Sequence, residues 1–317
     1  MKVLIASSIC PQALAEMRRV HDVQCACNVG PDQLRAAIVD REVVVFRSGV
    51  ELSGALMARA PRLRLLVRAG SGLDNLDLDY VGRRGITLVR IPGPGAQAVA
   101  ELAFGLMLTL ARQIRVADEQ LRRGHWTKHQ VDGYLLQGKT LGIVGAGNIG
   151  SRVGRMGAAW EMDVVGCVEH PTAGVAAELR ANGIRLAPLD DVLETADFLS
   201  IHVPLQASTR GLIDAAALAR MKPGSFLVNL SRGGVVDEAA LRSALTRPGG
   251  LGGAGLDVHE REGEGQISQL ADLPNVVLTP HIGAMTHDSQ RQIGRRVLEI
   301  LDDFCGQGSV PALQAGS

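Results

Sequence analysis

The sequence predicts an α/β protein of two doubly wound parallel-sheet units, one inserted into the other. Three observations lead there. Short apolar, β-branched runs alternate with helix-compatible segments along the chain. One such run leads into a glycine-spaced turn, Gly145-x-Gly147-x-x-Gly150. Chain breakers at Pro92–Gly95 and around Pro280–Gly283 divide the alternation into two series.

The first series holds four candidate strands, Val3–Ala6, Val43–Phe46, Leu65–Val67 and Thr87–Val89. A long helix is expected from Ala96 to Arg123. Its first half is apolar nearly all round, which predicts burial against another domain or subunit. Candidate strands resume at Thr140–Val144, Asp163–Val168, Phe198–Ile201, Ser225–Asn229, Gly253–Leu256 and Val276–Leu278. An amphipathic helix, Ser289–Phe304, is placed to return to the first series. The expected domains are therefore residues 1–95 with 284–317, and residues 96–283.

Composition narrows the function classes. The 317 residues carry 33 basic and 33 acidic side chains and are 46% hydrophobic. That balance gives no basic surface for nucleic acid, and 3% aromatic content argues against a platform for stacking bases. The five cysteines form no C-x-x-C pair, and Cys25-x-Cys27 lacks the usual zinc spacing, so reduced thiols in a cytoplasmic protein and no metal are expected. The apolar stretch at Met1–Ser8 reads as a first strand rather than a leader. The most apolar segment, Ala98–Ala111, contains Glu101 and is short for a bilayer, so no membrane partner is expected.

The glycine turn sits where dinucleotide chemistry needs it, after a strand and before the helical segment Ser151–Trp160. Gly145 permits the tight turn, Gly147 lets the backbone approach a pyrophosphate, and Gly150 lets the helix pack closely on the strand. The following helix offers N–H groups and a positive dipole end to the phosphates. Glu169, 19 residues past Gly150, lies near the position of a ribose-binding acid. No arginine follows it, so NAD rather than NADP is the expected cofactor.

Three later segments place polar residues at strand ends, where ligands of open parallel sheets bind: Val228–Gly234 with Arg232, Leu256–Glu262 with Asp257, and Thr279–Gly283 with His281. Arginine can clamp a carboxylate and polarise a carbonyl. Histidine can move a proton near neutral pH, and a carboxylate on its other nitrogen orients the ring. Each residue alone has an ordinary surface or turn explanation. Together, after a dinucleotide turn, they suit carbonyl–alcohol chemistry.

The assembled motifs resemble the NAD-dependent D-2-hydroxyacid dehydrogenases, most of all their D-3-phosphoglycerate dehydrogenase branch, over nearly the whole chain. The likeness rests on Phe46-Arg47-Ser48, Val67–Asp79, Val99–Ala103, the glycine turn, His202–Leu205 with Thr209, Asn229–Gly233, Leu256–Glu262 and Thr279–Gly283. It implies a Rossmann-type nucleotide domain inserted into a flavodoxin-like substrate domain, and a homodimer packed through the helix that begins near Val99. Arg232 would bind the substrate carboxylate and carbonyl. His281 would be the acid/base group. Glu262, five residues after Asp257, would be its carboxylate partner, with Glu260 ranked second. The cofactor would meet Gly145, Gly147, Asn148, Ile149, Gly150, Glu169, Val203, Pro204, Thr209, Leu230, Asp257 and Gly283, with Asp257 at the nicotinamide amide. The substrate would meet Arg47, Ser71 and Gly72, and Lys128 could add charge from a neighbouring subunit.

The chain departs from that pattern at Val168, where an acid usually ends the second strand, at His259, where an aromatic is usual, and at Gly263, where proline is usual. No C-terminal regulatory extension is expected, hence no serine feedback through one. The expected reaction is hydride transfer between NAD(H) and C2 of a small D-2-hydroxy or 2-keto acid resembling 3-phosphoglycerate. A glyoxylate/hydroxypyruvate-type reductase and a non-catalytic NAD(H)-sensing protein are the alternatives.

Overall fold

A computed structural model describes residues 1–70 and 72–307. The chain divides into two compact units, Met1–Gly95 together with the segment from Ala284, and Ala96–Gly283.

The first unit is a five-stranded parallel sheet of β1 (Lys2–Ile5), β2 (Asp22–Cys25), β3 (Val43–Phe46), β4 (Leu65–Arg68) and β5 (Thr87–Arg90). Their order, β2-β1-β3-β4-β5, is that of a flavodoxin-like doubly wound sheet. Side-chain alternation divides the core into two layers. Leu4, Val44, Phe46 and Leu66 face one side with Ile38, Leu52 and Met57. Val3, Ile5, Val43, Val45, Leu65 and Val67 face the other, covered by Ile293, Val297, Ile300, Leu301 and Phe304 of the helix His287–Gln307. That helix also lies along Pro11–Val20, and a Cβ on Gly294 would come within 2.6 Å of Cys10 Sγ.

The second unit is a seven-stranded parallel sheet: β6 (Thr140–Val144), β7 (Asp163–Cys167), β8 (Ile184–Leu186), β9 (Phe198–Ile201), β10 (Phe226–Asn229), β11 (Gly253–Leu256) and β12 (Val276–Leu278). The order β12-β11-β10-β9-β6-β7-β8 reverses between β6 and β9, the switch point where such sheets bind ligands. Strands β9, β10 and β11 are buried on both faces, as parallel strands covered by helices are.

Two expectations need correction. Strands β2 and β8 were not expected. They are edge strands of four and three residues with exposed positions, too short and too polar to stand out in the sequence. The expected helix Ala96–Arg123 is two, Gly93–Ala111 and Ile114–Arg122. Gln113 between them has φ 50°, and the Ala111 carbonyl accepts from Tyr134 N (2.9 Å) where a continuing helix would have used it. Part of the apolar half is buried within its own unit. Leu106 and Leu110 lie against Gly255 and Gly253 of β11, whose missing side chains leave room for them. At 19 residues this helix is long and apolar enough to span a membrane, yet ten of its residues are buried, those on the sheet side against β11.

Candidate active site

The nucleotide turn follows β6 at the switch point, and its three glycines do different work. Gly145 has φ 92°, and a Cβ there would sit 2.7 Å from Val203 Cγ1 and 3.0 Å from the His202 carbonyl oxygen. A Cβ on Gly150 would lie 2.2 Å from Gly145 O, so any side chain would force the helix Gly150–Ala159 off the strand. A Cβ on Gly147 would meet nothing within 4 Å: here glycine leaves space open rather than relieving a clash. Ile149, at the helix N-cap, supplies no side-chain cap. An open cradle beside an uncapped helix start fits a pyrophosphate, whose oxygens accept from N–H groups left over at such an end. Asn148 is exposed and Ile149 half-buried in the same turn.

Glu169 lies just past β7, where its Oε2 accepts from Gln206 Nε2 (3.2 Å) in the loop after β9. Val203 and Pro204 form that loop. Thr209 is buried, with its hydroxyl donating to Pro204 O (2.6 Å) and accepting from Gln206 N (2.9 Å), so it shapes the loop itself. At the base of this loop His202 Nε2 meets Ser200 Oγ (2.8 Å), and burial pushes the ring's pKa down to about 3.

Strands β10, β11 and β12 are neighbours in register, Asn229 opposite Leu256 and Leu256 opposite Leu278. Sequence segments separated by some 25 residues therefore end side by side on one edge of the sheet. After β10, buried Asn229 ties a turn together: its Oδ1 accepts from Ser231 N (3.0 Å) and Oγ (2.7 Å), and its Nδ2 donates to Arg232 O (3.1 Å). Arg232 Nη1 donates to Ser231 O (2.8 Å), and Leu230 is buried beneath. The next residue must be glycine, because a Cβ on Gly233 would be 1.8 Å from His259 O.

Asp257 closes β11 at 1% exposure, with both carboxylate oxygens turned to the loop after β12. Oδ1 accepts from Thr279 Oγ1 (2.6 Å) and Ile282 N (2.8 Å), and Oδ2 accepts from Gly283 N (2.8 Å). Its backbone carbonyl accepts from His281 N (2.8 Å). Asp257 thus holds the His281 loop. His281 has φ 54°, a left-handed conformation that is unfavourable for a non-glycine residue and persists only where its surroundings hold it.

Held there, His281 Nδ1 is 2.9 Å from Glu262 Oε2. Glu262 Oε1 accepts from His259 N (3.2 Å). Glu260 is occupied elsewhere: it exchanges backbone-to-carboxylate bonds with Glu238, at 3.1 and 2.7 Å, so Glu262 is the carboxylate that reaches the ring. Burial raises the Glu262 pKa, but His281 and the His259 N–H outweigh it, and the net shift is downward. Glu262 is therefore ionised throughout the range above the ordinary carboxylate pKa, and its charge is lost as pH falls through that lowered pKa. With Nδ1 taken by Glu262, Nε2 is the nitrogen left for a substrate.

Arg47 and Gly72 belong to the first unit, after β3 and β4. Burial lowers the Arg47 pKa, its N–H donates to Ser7 Oγ (3.0 Å), and Asn75 Nδ2 donates to its carbonyl (3.1 Å). Gly72 O accepts from Arg68 Nε (2.7 Å), a buried guanidinium that sequence reading passed over. Ser71 lies outside the described residues.

Residues 104–283 match the family model of the D-isomer specific 2-hydroxyacid dehydrogenase NAD-binding domain. The chain belongs to that family. It is 40% identical over 297 residues to the D-3-phosphoglycerate dehydrogenase of Mycobacterium tuberculosis, covering 94% of this chain but 55% of that protein. It is 39% identical over 270 residues to the hydroxypyruvate reductase of Thermotoga maritima, covering 84% of this chain and 86% of the relative. Among solved structures, D-lactate dehydrogenase from Aquifex aeolicus, complexed with NAD and lactic acid, superposes with TM-score 0.85 at 29% identity, over 96% of this chain and 95% of the other. The family match agrees with the geometry of the turn after β6: the chain carries an NAD-binding domain.

Proposed function

We propose that the chain transfers hydride between NAD(H) and C2 of a small D-2-hydroxy acid or its 2-keto partner, with a 3-phosphoglycerate-like acid as first candidate. The observation that carries this reading is the His281–Glu262 pair, 2.9 Å apart, on the sheet edge that also presents Arg232 and the nucleotide turn. When bound, NAD supplies the hydride acceptor in oxidation and its reduced form the donor in reduction. Arg232 clamps the substrate carboxylate and polarises the C2 oxygen. In reduction, His281 Nε2 gives its proton to that oxygen as C2 gains hydride; in oxidation it takes the hydroxyl proton. Glu262 fixes the ring's orientation through Nδ1.

The relatives named phosphoglycerate dehydrogenase are about twice as long as the matched region, whereas the hydroxypyruvate reductase is matched over most of its length, which keeps a hydroxypyruvate-type reductase as the second reading. A panel of 3-phosphoglycerate, glycerate, lactate and hydroxypyruvate, followed by NADH absorbance, separates the two. No turnover with any member would sink the enzyme reading in favour of a sensor.

A homodimer is part of this proposal. Its support is the row of exposed apolar side chains on and after the helix Ile114–Arg122: Ile114, Leu121, Trp126, Tyr134 and Leu135. Lys128 lies in the same stretch. A solution mass near twice 33.5 kDa is expected by light scattering. Five free cysteines support a reducing, cytoplasmic setting.

Two outcomes follow. Glu262→Gln is expected to lower kcat, because the carboxylate that holds the His281 ring through Nδ1 is gone, while Glu260→Gln, whose carboxylate accepts from Glu238 N, leaves kcat in place. The reverse result would exchange their roles. Glu169→Ala is expected to narrow a preference for NAD(H) over NADP(H), since its carboxylate repels a 2′-phosphate. The ratio of catalytic efficiencies for the two cofactors measures this, and an unchanged ratio would remove Glu169 from the ribose.

A further inference from the structure

We propose that His259 is a positioning residue, whose ring N–H braces the turn that carries His281. This rests on the reading of Arg232, Glu262 and His281 as the catalytic set. His259 touches all three of their loops. Its backbone N–H donates to Glu262 Oε1 (3.2 Å). Its carbonyl faces Gly233, directly after Arg232, closely enough that a Cβ there would fall 1.8 Å away. Its ring Nε2 lies 3.0 Å from Thr279 O, two residues before His281.

The last contact is the one only this side chain makes. A carbonyl oxygen can only accept, so Nε2 carries the hydrogen and the ring is the Nε2–H tautomer. The other nitrogen, Nδ1, is buried without a hydrogen-bond partner among the described residues. The ring is thus committed to a single bond.

That bond adds to the grip that Asp257 already has on this turn. Pro280 has no N–H to contribute, and His281 is in the left-handed region. Thr279 is gripped at both ends, its hydroxyl on Asp257 (2.6 Å) and its carbonyl shared by His259 Nε2 and His281 N (3.1 Å). Fixing that peptide fixes where the His281 ring starts, and so the 2.9 Å approach to Glu262. Phenylalanine at 259 would fill the same space without a donor.

His259→Phe keeps a flat ring and removes the donor, whereas His259→Gln returns an amide N–H near the position of Nε2. Phenylalanine is expected to lower kcat about tenfold with KM changed less than about twofold, as displaced acid/base geometry does, and glutamine to recover most of the loss. Ring-nitrogen NMR of the unaltered protein is expected to show the hydrogen on Nε2. Undiminished kcat in the phenylalanine variant, a glutamine variant equally slow, or an Nδ1–H signal would each overturn the brace. If the phenylalanine variant does not fold, the NMR result on the native chain still decides. His281→Asn separates the two levels. Full turnover in that variant sinks the catalytic reading itself, whereas an inactive His281→Asn beside a fully active His259→Phe sinks only the brace.

Discussion

His281→Asn is expected to lower turnover by about a hundred- to ten-thousand-fold, the usual worth of a positioned acid/base group. NADH affinity should stay within about twofold, because the nucleotide turn after β6 belongs to a different loop. Asparagine also tolerates the left-handed backbone that His281 adopts at φ 54°, so the loop has no new strain to relieve. The change removes the titrating group and little else. Steady-state kcat with an NADH fluorescence titration makes the measurement, and unaltered turnover would falsify the proton-transfer role.

Gly233→Ala tests the frame around the site rather than its chemistry. The added carbon would lie 1.8 Å from His259 O, 2.3 Å from His259 C and 2.9 Å from Glu260 N. All three are backbone atoms, which cannot swing aside as a side-chain tip can. The loop that presents Arg232 must move away from the loop that presents Glu262. Overpacking of this kind costs about 1–3 kcal/mol, and a displacement near 1 Å can cost about a hundredfold in rate. We expect a lower Tm and about a hundredfold lower kcat/KM. A variant with native Tm and native kinetics would mean that the two loops are not in contact in solution.

The parts of this site that could be read from sequence are those whose cause is local. Gly145 and Gly150 are demanded by clashes within a few residues of themselves or across one strand, and Gly147 by the space it leaves. Arg232, Glu262 and His281 stood at the ends of apolar runs, and parallel pairing of β10, β11 and β12 necessarily brings such ends together. The choice between Glu262 and Glu260 could not be read so securely. It turns on Glu238, 22 residues before Glu260, which captures the nearer acid. The bonds from Asp257 to Thr279, Ile282 and Gly283 were hidden for the same reason, as was the helix end at Ala111, whose carbonyl is taken by Tyr134. In each case the decisive partner is far away in the chain, and periodicity does not report it.

The helix His287–Gln307 has a consequence for the order in which this molecule is made. It supplies Ile293, Val297, Ile300, Leu301 and Phe304 to the core layer that also holds Val3, Ile5, Val43 and Val45. A ribosome moving at about 5–20 residues per second would release that helix roughly ten to forty seconds after residue 95. For most of that interval the inserted unit, Ala96–Gly283, is still being made, and the early sheet has one greasy face without its cover. The growing chain is therefore most in need of a chaperone over that interval, and the helix His287–Gln307 ends the exposure.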